Sequence, residues 1–228
     1  GTVSASQKIE YVNIERVLKI FDGFGSSVAN IGDLNNDDVI DIAVGAPGDD
    51  DGTPEIGDPY YNSGATYILF LNRDGTVKSY QKISDTVGGL GLDSTNNDLN
   101  ISAGFGFSIA GIGDINKDNI KDIAVGAPGY RYMDHSSIGS IWILFLNQDG
   151  TVKNYEIISN RTSSLNGTLN YNDWFGSSVA NIGDINGDGV TDIAVGAQRD
   201  DAGDPNNIVD FGAVYVLFLN KTGSAQNY

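Results

Sequence analysis

Residues 175–197 read FGSSVANIGDINGDGVTDIAVGA, and two further copies of this phrase lie upstream. Residues 24–46 read FGSSVANIGDLNNDDVIDIAVGA, and residues 105–127 read FGFSIAGIGDINKDNIKDIAVGA. After a variable connection, each copy is followed by an apolar heptapeptide: ATYILFL, SIWILFL or AVYVLFL. Because self-similarity at a fixed spacing is the signature of repeat architectures, we interpret the chain as one repeat array. It covers residues 1–228, with approximate units 1–74, 75–149 and 150–222, and residues 223–228 begin a further unit.

Each unit is predicted to contain four β-strands, which in the first unit are residues 26–32, 42–46, 65–71 and 76–83. The third strand is rich in β-branched and aromatic residues, and the fourth follows Asp74-Gly75, a strong hairpin signal. Four-stranded antiparallel units of this length are typical of β-propeller blades. The prediction is therefore an all-β fold with three four-stranded propeller blades. A β-sandwich and a β-solenoid are the rival folds, and residues 11–21 fit either a short helix or an extended connection.

A nine-residue loop between the first two strands of each unit carries oxygen-bearing side chains at positions 1, 3, 5 and 9. In a tight loop such groups turn inward together, and Ca²⁺ prefers several oxygen ligands, including backbone carbonyls. Position 7 commonly supplies its carbonyl, so its side chain is free to be apolar and to anchor the loop to the core. We predict three Ca²⁺ sites, formed by Asp33, Asn35, Asp37, Val39 and Asp41, by Asp114, Asn116, Asp118, Ile120 and Asp122, and by Asp184, Asn186, Asp188, Val190 and Asp192.

Other interpretations of these loops are weaker. Magnesium demands stricter octahedral geometry. Zinc is disfavoured because its usual ligands include cysteine and histidine, and the chain has no cysteine and one histidine. Asp and Asn side chains that merely form turns at strand ends remain the structural alternative. Position 6 must turn sharply, which suits Gly189, and Asp38 and Asn119 at the same place tolerate left-handed geometry.

Composition limits the partners of the chain. Its formal net charge is −17, which disfavours nucleic acids and anionic membranes and favours cations. No apolar run is long enough to span a bilayer, so membrane insertion is not expected. Sequons for N-glycosylation occur in predicted loops and turns and favour a secreted, extracellular or cell-surface location; they are Asn100, Asn160, Asn166 and Asn220.

The dipeptides Phe24-Gly25, Phe105-Gly106 and Phe175-Gly176, the acidic loops and the Gly-Ala-Pro tripeptides at 45–47 and 126–128 together resemble FG-GAP repeats. The resemblance implies the β-propeller of integrin α subunits and of many secreted microbial proteins. It further implies Ca²⁺ in the hairpin between the first two strands of a blade, with ligands on the opposite face. In the third copy Gln198 replaces the expected proline, which affects a turn and not the fold.

Three blades are not expected to close a ring, since known closed propellers have four or more. We therefore expect an incomplete propeller, or one that oligomerisation completes. The chain would be part of a longer repeat protein, would pair into a six-bladed ring, or would add head to tail with residues 2–9 of one copy completing the last blade of the next. The expected partner is thus protein, either self or another repeat segment, through the terminal strands.

The variable connections carry the candidate ligand face, namely Tyr60, Tyr61, Tyr130, Tyr132 and Trp174, which could bind a glycan or a protein or could pack between blades. His135 is interpreted as a solvated loop residue, and residues 49–51 as a solvated acidic loop. No catalytic residues are predicted. The favoured function is a non-catalytic, extracellular, Ca²⁺-binding propeller segment for adhesion, protein–protein interaction or self-assembly into a surface layer or filament. A carbohydrate-binding propeller is the alternative, and a glycosidase or other hydrolase is the third reading.

Overall fold

The structure is a computed structural model, and it describes residues 5–10, 18–50, 63–90, 103–132, 136–160, 165, 169–201 and 210–226. Within these residues the fold is all-β, with three antiparallel sheets that correspond to the three repeat units. The predicted helix or extended connection at residues 11–21 lies mostly outside the described part of the chain. Its last residues, 18–21, are not helical.

Blade 1 is a four-stranded sheet of β1 (Val28–Gly32), β2 (Asp41–Ala46), β3 (Ala65–Leu71) and β4 (Val77–Ile83). The strands lie side by side in chain order, and every neighbouring pair is antiparallel. β3 is buried on both sides because it lies inside the sheet and between two packed layers, which explains its continuous apolar sequence. The exposed residues of β4 mark it as the outer edge of the blade.

Blade 2 repeats this order with β5 (Ser108–Gly113), β6 (Asp122–Ala127), β9 (Ser140–Leu146) and β10 (Val152–Ile158). A two-residue hairpin, β7 (Arg131–Tyr132) and β8 (Ser136–Ser137), lies in the connection between its second and third strands. Blade 3 contains β11 (Phe175–Gly183), β12 (Asp192–Ala197) and β13 (Ala213–Leu217). Its fourth strand is represented among the described residues by one antiparallel bridge, Leu219 to Ala225.

Neighbouring blades are joined by the same close contact. The Ser27 hydroxyl donates a hydrogen bond to the carbonyl of Gly106 in blade 2, and the Ser108 hydroxyl donates to the carbonyl of Gly176 in blade 3, both at 2.8 Å. This approach requires glycine at position 45, because a Cβ there would lie 1.9 Å from the Gly106 oxygen. Gly126 makes the same approach to blade 3, so the glycines of the Gly-Ala-Pro motifs in blades 1 and 2 serve the packing of one blade against the next.

The hydrophobic core lies mainly between blades. One cluster joins blades 1 and 2 around Phe105 and Trp142, and a second joins blades 2 and 3 around Phe175 and Ile143. A third cluster covers the other side of blade 1, where Ile9 and Leu18 pack against Tyr67 and its neighbours. The three blades do not close into a ring, and the outer side of blade 3 is exposed at Val214 and Val216.

The sheet topology confirms the propeller-blade prediction and excludes the sandwich and the solenoid. In blade 1 the strand bounds lie within two residues of those predicted from sequence. The four-strand pattern is complete in blades 1 and 2, whereas the sheet of blade 3 contains three strands and the single bridge. The sequence there, SAQNY, lacks the β-branched residues that support the fourth strand in blades 1 and 2.

Candidate functional site

The three acidic loops adopt one geometry. In blade 1 the Asp33 carboxylate accepts hydrogen bonds from the backbone N–H groups of Asp37 and Asp38, at 3.0 and 2.8 Å. The side-chain oxygen of Asn35 accepts from the same Asp37 N–H at 3.0 Å, so the oxygens of positions 1 and 3 converge on one point. The matching bonds in blades 2 and 3 are made by Asp114, Asn116 and Asp118, and by Asp184, Asn186 and Asp188.

Left-handed backbone conformations produce the tight turn. Position 6 has φ of 63° at Asp38, 69° at Asn119 and 85° at Gly189, as the sequence predicted. Position 4 is left-handed as well, which sequence reasoning missed, with φ of 60° at Asn36 and 67° at Lys117. Asn tolerates this region because its short polar side chain can bond locally, whereas lysine has no such compensation. The second loop therefore carries backbone strain at Lys117.

Position 9 ties the loop to the sheet. Asp41 is fully buried, and its carboxylate accepts from the N–H of Leu34 at 3.0 Å and from the N–H of Leu71 at 3.2 Å. Asp192 makes the equivalent bonds, to Ile185 and Leu219. Burial, which is the largest cause, raises the pKa of Asp41 above its usual range.

Asp122 occupies the same place in blade 2. One of its oxygens accepts from the N–H of Ile115 at 3.0 Å, and the N–H of Leu146, which corresponds to Leu71 and Leu219, also lowers the pKa of this carboxyl group. Burial raises the pKa of Asp122 to about 7, with the nearby carboxylates of Asp118 and Asp114 adding to the effect.

Position 5 is paired with a side chain from the fourth strand. Lys78 Nζ lies 2.8 Å from Asp37 Oδ2, and Lys153 Nζ lies 3.0 Å from Asp118 Oδ2. In blade 3 the same place is taken by a neutral amide, since Gln226 donates to Asp188 Oδ2 at 3.0 Å. The hydrogen bond from Lys78 is the main reason that the pKa of Asp37 lies below its usual range. Sequence reasoning missed this pairing, although lysine follows the Gly-Thr-Val turn in both units.

The residues of the loops fit a hard cation. Their donors are carboxylate, amide and carbonyl oxygens, which Ca²⁺ prefers, and a carboxylate oxygen that accepts one hydrogen bond keeps a further lone pair. In the described part of the chain, which includes all three loops, no three acidic side chains form a metal-binding group by themselves. A cation would therefore depend on the Asn oxygen at position 3 and a backbone carbonyl as well.

Apolar residues anchor each loop to the core. At position 7, Val190 is buried and Ile120 is half-buried against the core between blades 1 and 2, as the sequence predicted. The stronger anchor is position 2, which sequence reasoning missed, because Leu34 and Ile115 are almost fully buried between blades. The signal was present, since every copy has leucine or isoleucine at that place.

A second acidic group lies beside the Phe-Gly motifs. In blade 1, Asp49 is buried and accepts from the Tyr67 hydroxyl at 2.9 Å and from Lys82 Nζ at 2.7 Å. The interpretation of residue 49 as part of a solvated loop is therefore wrong. Burial raises the pKa of neighbouring Asp22 to about 6, and Asp49 and Asp50 contribute to the shift.

Blade 3 repeats this acidic group and blade 2 replaces it. The Tyr215 hydroxyl donates to Asp200 at 2.7 Å, and Asp173 occupies the place of Asp22. Blade 2 has Ala103, Tyr130 and Trp142 at these positions, all buried. The Oδ1 atom of Asp173 is buried without a hydrogen-bond partner. The sequence signal was an Asp two residues before Phe-Gly in units one and three.

The described residues of the candidate ligand face do not lie together on one surface. Tyr130 is buried with its ring centroid 6.4 Å from that of Trp142, so it packs inside blade 2. Trp174 is half-buried, with the Arg199 guanidinium 4.1 Å from its ring centroid. Tyr132 belongs to β7, while Tyr60 and Tyr61 lie outside the described residues, as does His135. Among the sequons, Asn160 and Asn220 are half-buried, and Asn100 and Asn166 are outside the described residues.

Comparison with known proteins identifies the repeats. A family model described as FG-GAP repeat matches residues 105–144 and 175–217, which contain most of blades 2 and 3. Human integrin alpha-6 is 37% identical over 165 residues, covering 72% of this chain and 13% of the integrin. Mouse integrin alpha-E is 41% identical over 96 residues, covering 41% of this chain and 8% of the integrin.

A longer match, with mouse integrin alpha-2, is 27% identical over 198 residues and covers 86% of this chain and 15% of the integrin. The chain therefore spans only 8% to 15% of the length of these integrin alpha subunits. The motifs shared among its units, the sheet topology and the family match agree. The chain carries FG-GAP repeats, which the family model matches in its second and third units.

Proposed function

We propose that this chain is a non-catalytic, extracellular β-propeller segment that binds Ca²⁺ through its three acidic loops and binds other proteins in adhesion or assembly. The observation that supports the calcium part most strongly is the identical arrangement of positions 1, 3 and 5 in three loops of different sequence. Asx-turns alone would not require both an aspartate at position 1 and an asparagine at position 3 in every copy.

The proposed ligands are the side chains of positions 1, 3, 5 and 9 and the carbonyl of position 7, at Val39, Ile120 and Val190. A bound Ca²⁺ would supply charge neutralisation and cross-link the loop to the start of the second strand. Because the ligands converge only in the folded loop, binding would favour the native state over the unfolded chain. The metal would thus stabilise the folded loop and take no part in a chemical reaction.

The proposed location and partners follow from the relatives. Integrin alpha subunits are the proteins that this chain resembles, which favours an extracellular or cell-surface role in binding proteins. The connections between strands differ among the three units while the strands do not, as in recognition surfaces built on a rigid frame. Within the described residues no helix has the length and apolarity needed to cross a bilayer.

Thermal unfolding in excess Ca²⁺ and in EGTA tests the calcium proposal. We expect Ca²⁺ to raise the midpoint, since a site filled at 100 times its Kd contributes about 2.7 kcal/mol. A triple variant, Asp33→Ala, Asp114→Ala and Asp184→Ala, should lose the response. The matched control changes Asp74 and Asp149 to alanine in the hairpin turns, and it should keep the response. A wild-type midpoint that is equal in Ca²⁺ and EGTA would remove calcium from the proposal and leave the fold unaffected.

A further inference from the structure

The second and third acidic loops lie next to each other where blades 2 and 3 pack together. Near the loop ends of β5 and β11, the Asn181 side chain donates a hydrogen bond from Nδ2 to the Gly111 carbonyl at 2.9 Å. One side chain then connects the two loops. Lys117, at position 4 of the second loop, donates from Nζ to the carbonyl oxygen of Gly189, at position 6 of the third loop, at 2.7 Å. A residue of one proposed cation site therefore contacts the backbone of the next site.

The turn at position 4 does not itself need a lysine. Lys117 holds a left-handed conformation, with φ of 67°, although its side chain cannot bond locally. The residues at the same place in the first and third loops, Asn36 and Gly187, are left-handed as well, with φ of 60° and 80°. The same turn thus forms with three different residues. What lysine adds at this place is a long side chain and a positive charge.

Lys117 brings that positive charge close to the carboxylates of the third loop. The pKa of Asp188, at position 5, lies below its usual range mainly because the N–H of position 7 donates to it, and the charge of Lys117 adds to the shift. In the first two loops the charge beside position 5 comes from the fourth strand of the same blade, at Lys78 and Lys153. The third loop has the neutral Gln226 there, so the positive charge that the structure describes beside it belongs to the neighbouring loop.

The contact has two possible effects on a bound cation, which are to order the loop or to repel the cation. Ordering is not needed, because the first loop has no lysine at position 4 and still forms the same hydrogen bonds from the N–H groups of positions 5, 6 and 7. An exposed lysine also loses side-chain entropy when it holds one carbonyl, so the contact itself adds little stability. Repulsion is therefore the larger effect, since a positive charge on the loop raises the free energy of a divalent cation bound there.

We propose that Lys117 sets the Ca²⁺ affinity of the third loop, and lowers it, by acting from the second loop across the contact between blades. Its ammonium group lies at the Gly189 carbonyl when the loop is empty and is repelled when Ca²⁺ binds. It is not a metal ligand, because an ammonium group has no lone pair to donate. The inference rests on the proposed Ca²⁺ binding and adds a regulator of one of the three sites.

A Ca²⁺ titration followed by two-dimensional NMR tests the proposal on the full chain. The amide signals of Asp38, Asn119 and Gly189 report the first, second and third loops separately, and a chelator of known affinity fixes the free Ca²⁺ concentration. Lys117→Gln keeps most of the stem and removes the charge. We expect it to strengthen Ca²⁺ binding at the third loop by roughly two- to five-fold, the range expected for exposed charges in water, and to leave the first loop unchanged.

Three controls separate charge from structure. Lys117→Arg keeps the charge and should bind Ca²⁺ like the wild type. Lys121→Gln removes a charge from the same loop, but the stem of this lysine lies beside blade 1, where a Cβ at Gly32 would meet it at 3.5 Å, so the third loop should not respond. In about 1 M NaCl, where charges are screened beyond about 3 Å, the gain in Lys117→Gln should shrink, which a purely structural role would not produce.

Transfer of the lysine to the first loop is a second, independent test. Asn36 has nearly the same backbone conformation as Lys117, so Asn36→Lys should place an ammonium group at the carbonyl of Asn119 in the second loop. We expect the Ca²⁺ affinity of the second loop to fall by roughly two- to five-fold. Asn36→Gln, which adds length without charge, is the matched control and should leave the second loop unchanged.

Several results would overturn the proposal. They are an unchanged third loop in Lys117→Gln, an equal gain in Lys117→Arg or Lys121→Gln, a gain that persists in high salt, and a second loop that does not respond to Asn36→Lys. NMR signals away from the loops establish that each variant is folded. A wild-type chain whose three loop signals do not respond to Ca²⁺ would remove both this inference and the calcium proposal. A third loop that responds to Ca²⁺ but not to the charge at Lys117 would remove this inference alone.

Discussion

Asp173 shows what burial does to a single carboxyl group in this fold. It has no exposed surface, and burial is the main reason that its pKa is raised to about 6. The N–H of Asn170 acts in the opposite sense, and the carboxylates of Asp200, Asp201 and Asp210 add to the rise. The folded chain therefore binds this proton more tightly than the unfolded chain does.

A pH dependence follows from this shift. Stability from protonated Asp173 is fully present below the unfolded pKa, near 4, and is lost as the pH rises through about 6. Asp173→Asn should therefore gain stability relative to the wild type between pH 4 and pH 7, by an amount on the order of 2 kcal/mol. Urea unfolding in EGTA at the two pH values measures the difference. The control is Asp74→Asn, at an exposed carboxyl whose pKa is lowered by Thr76. An equal gain in stability between pH 4 and pH 7 in both variants would contradict the assignment of the pH dependence to Asp173.

The lysines beside the acidic loops of blades 1 and 2 predict that the three loops differ in their affinity for Ca²⁺. Lys78 and Lys153 occupy an oxygen of the position-5 carboxylate in blades 1 and 2, whereas blade 3 has neutral Gln226. Replacing either lysine by glutamine should raise the Ca²⁺ affinity of its loop by roughly two- to five-fold, the range expected for an exposed ion pair. Calorimetric titration of each variant measures this change. Lys121→Gln in the second loop is the control for charge alone, and an equal gain there would show that the direct pairing is irrelevant.

At the scale of elements, close approach between blades requires glycine in the second strands of blades 1 and 2, at Gly45 and Gly126. A Cβ at Gly126 would lie 2.1 Å from the backbone carbonyl oxygen of Gly176, whereas the equivalent Gly196 faces only serine side chains. Overpacking against backbone typically costs about 1–3 kcal/mol or more, since the neighbouring blade has to shift.

The two glycines form a matched pair of variants. We expect Gly126→Ala to lower the free energy of unfolding by about 3 kcal/mol, and Gly196→Ala to lower it by less than about 1 kcal/mol. Chemical unfolding at a concentration where the chain is monomeric gives both values. Both residues lie in identical Asp-Ile-Ala-Val-Gly-Ala strands, so strand propensity cancels in the comparison. Equal losses would contradict the role assigned to the contact between blades.

At the scale of the whole molecule, charge opposes the compact state. The formal net charge is −17, and many of the acidic residues lie in the loops at the strand ends. Bound Ca²⁺ would cancel two charges per site. We expect the midpoint of the metal-free chain to rise between about 10 mM and about 200 mM NaCl because screening weakens self-repulsion, and to rise less in Ca²⁺. Choline chloride controls for specific sodium binding. An unfolding midpoint in EGTA that does not change with salt concentration would contradict the role given to charge repulsion.

The sequence by itself determined the repeat, the strand order and the acidic loops. Blade 1 has its strands where the alternating and apolar stretches predict them, because hairpin turns and side-chain periodicity are local properties. The loop pattern was equally local: Asp33 and Asn35 bond to backbone groups within five residues. Such features depend on spacing along the chain, so they can be predicted without knowing what lies next to each blade.

Only the tertiary structure decided which residues are buried and which side chains meet across strands. Ile143 and Val216 occupy the same place in their blades, yet the first is fully buried and the second is 47% exposed. Tyr130 lies in the core, and Lys78 bonds to an aspartate 41 residues away. The reason is physical: hydrogen-bonded turns form between near neighbours in sequence, whereas burial and long-range pairing depend on the blade that packs alongside.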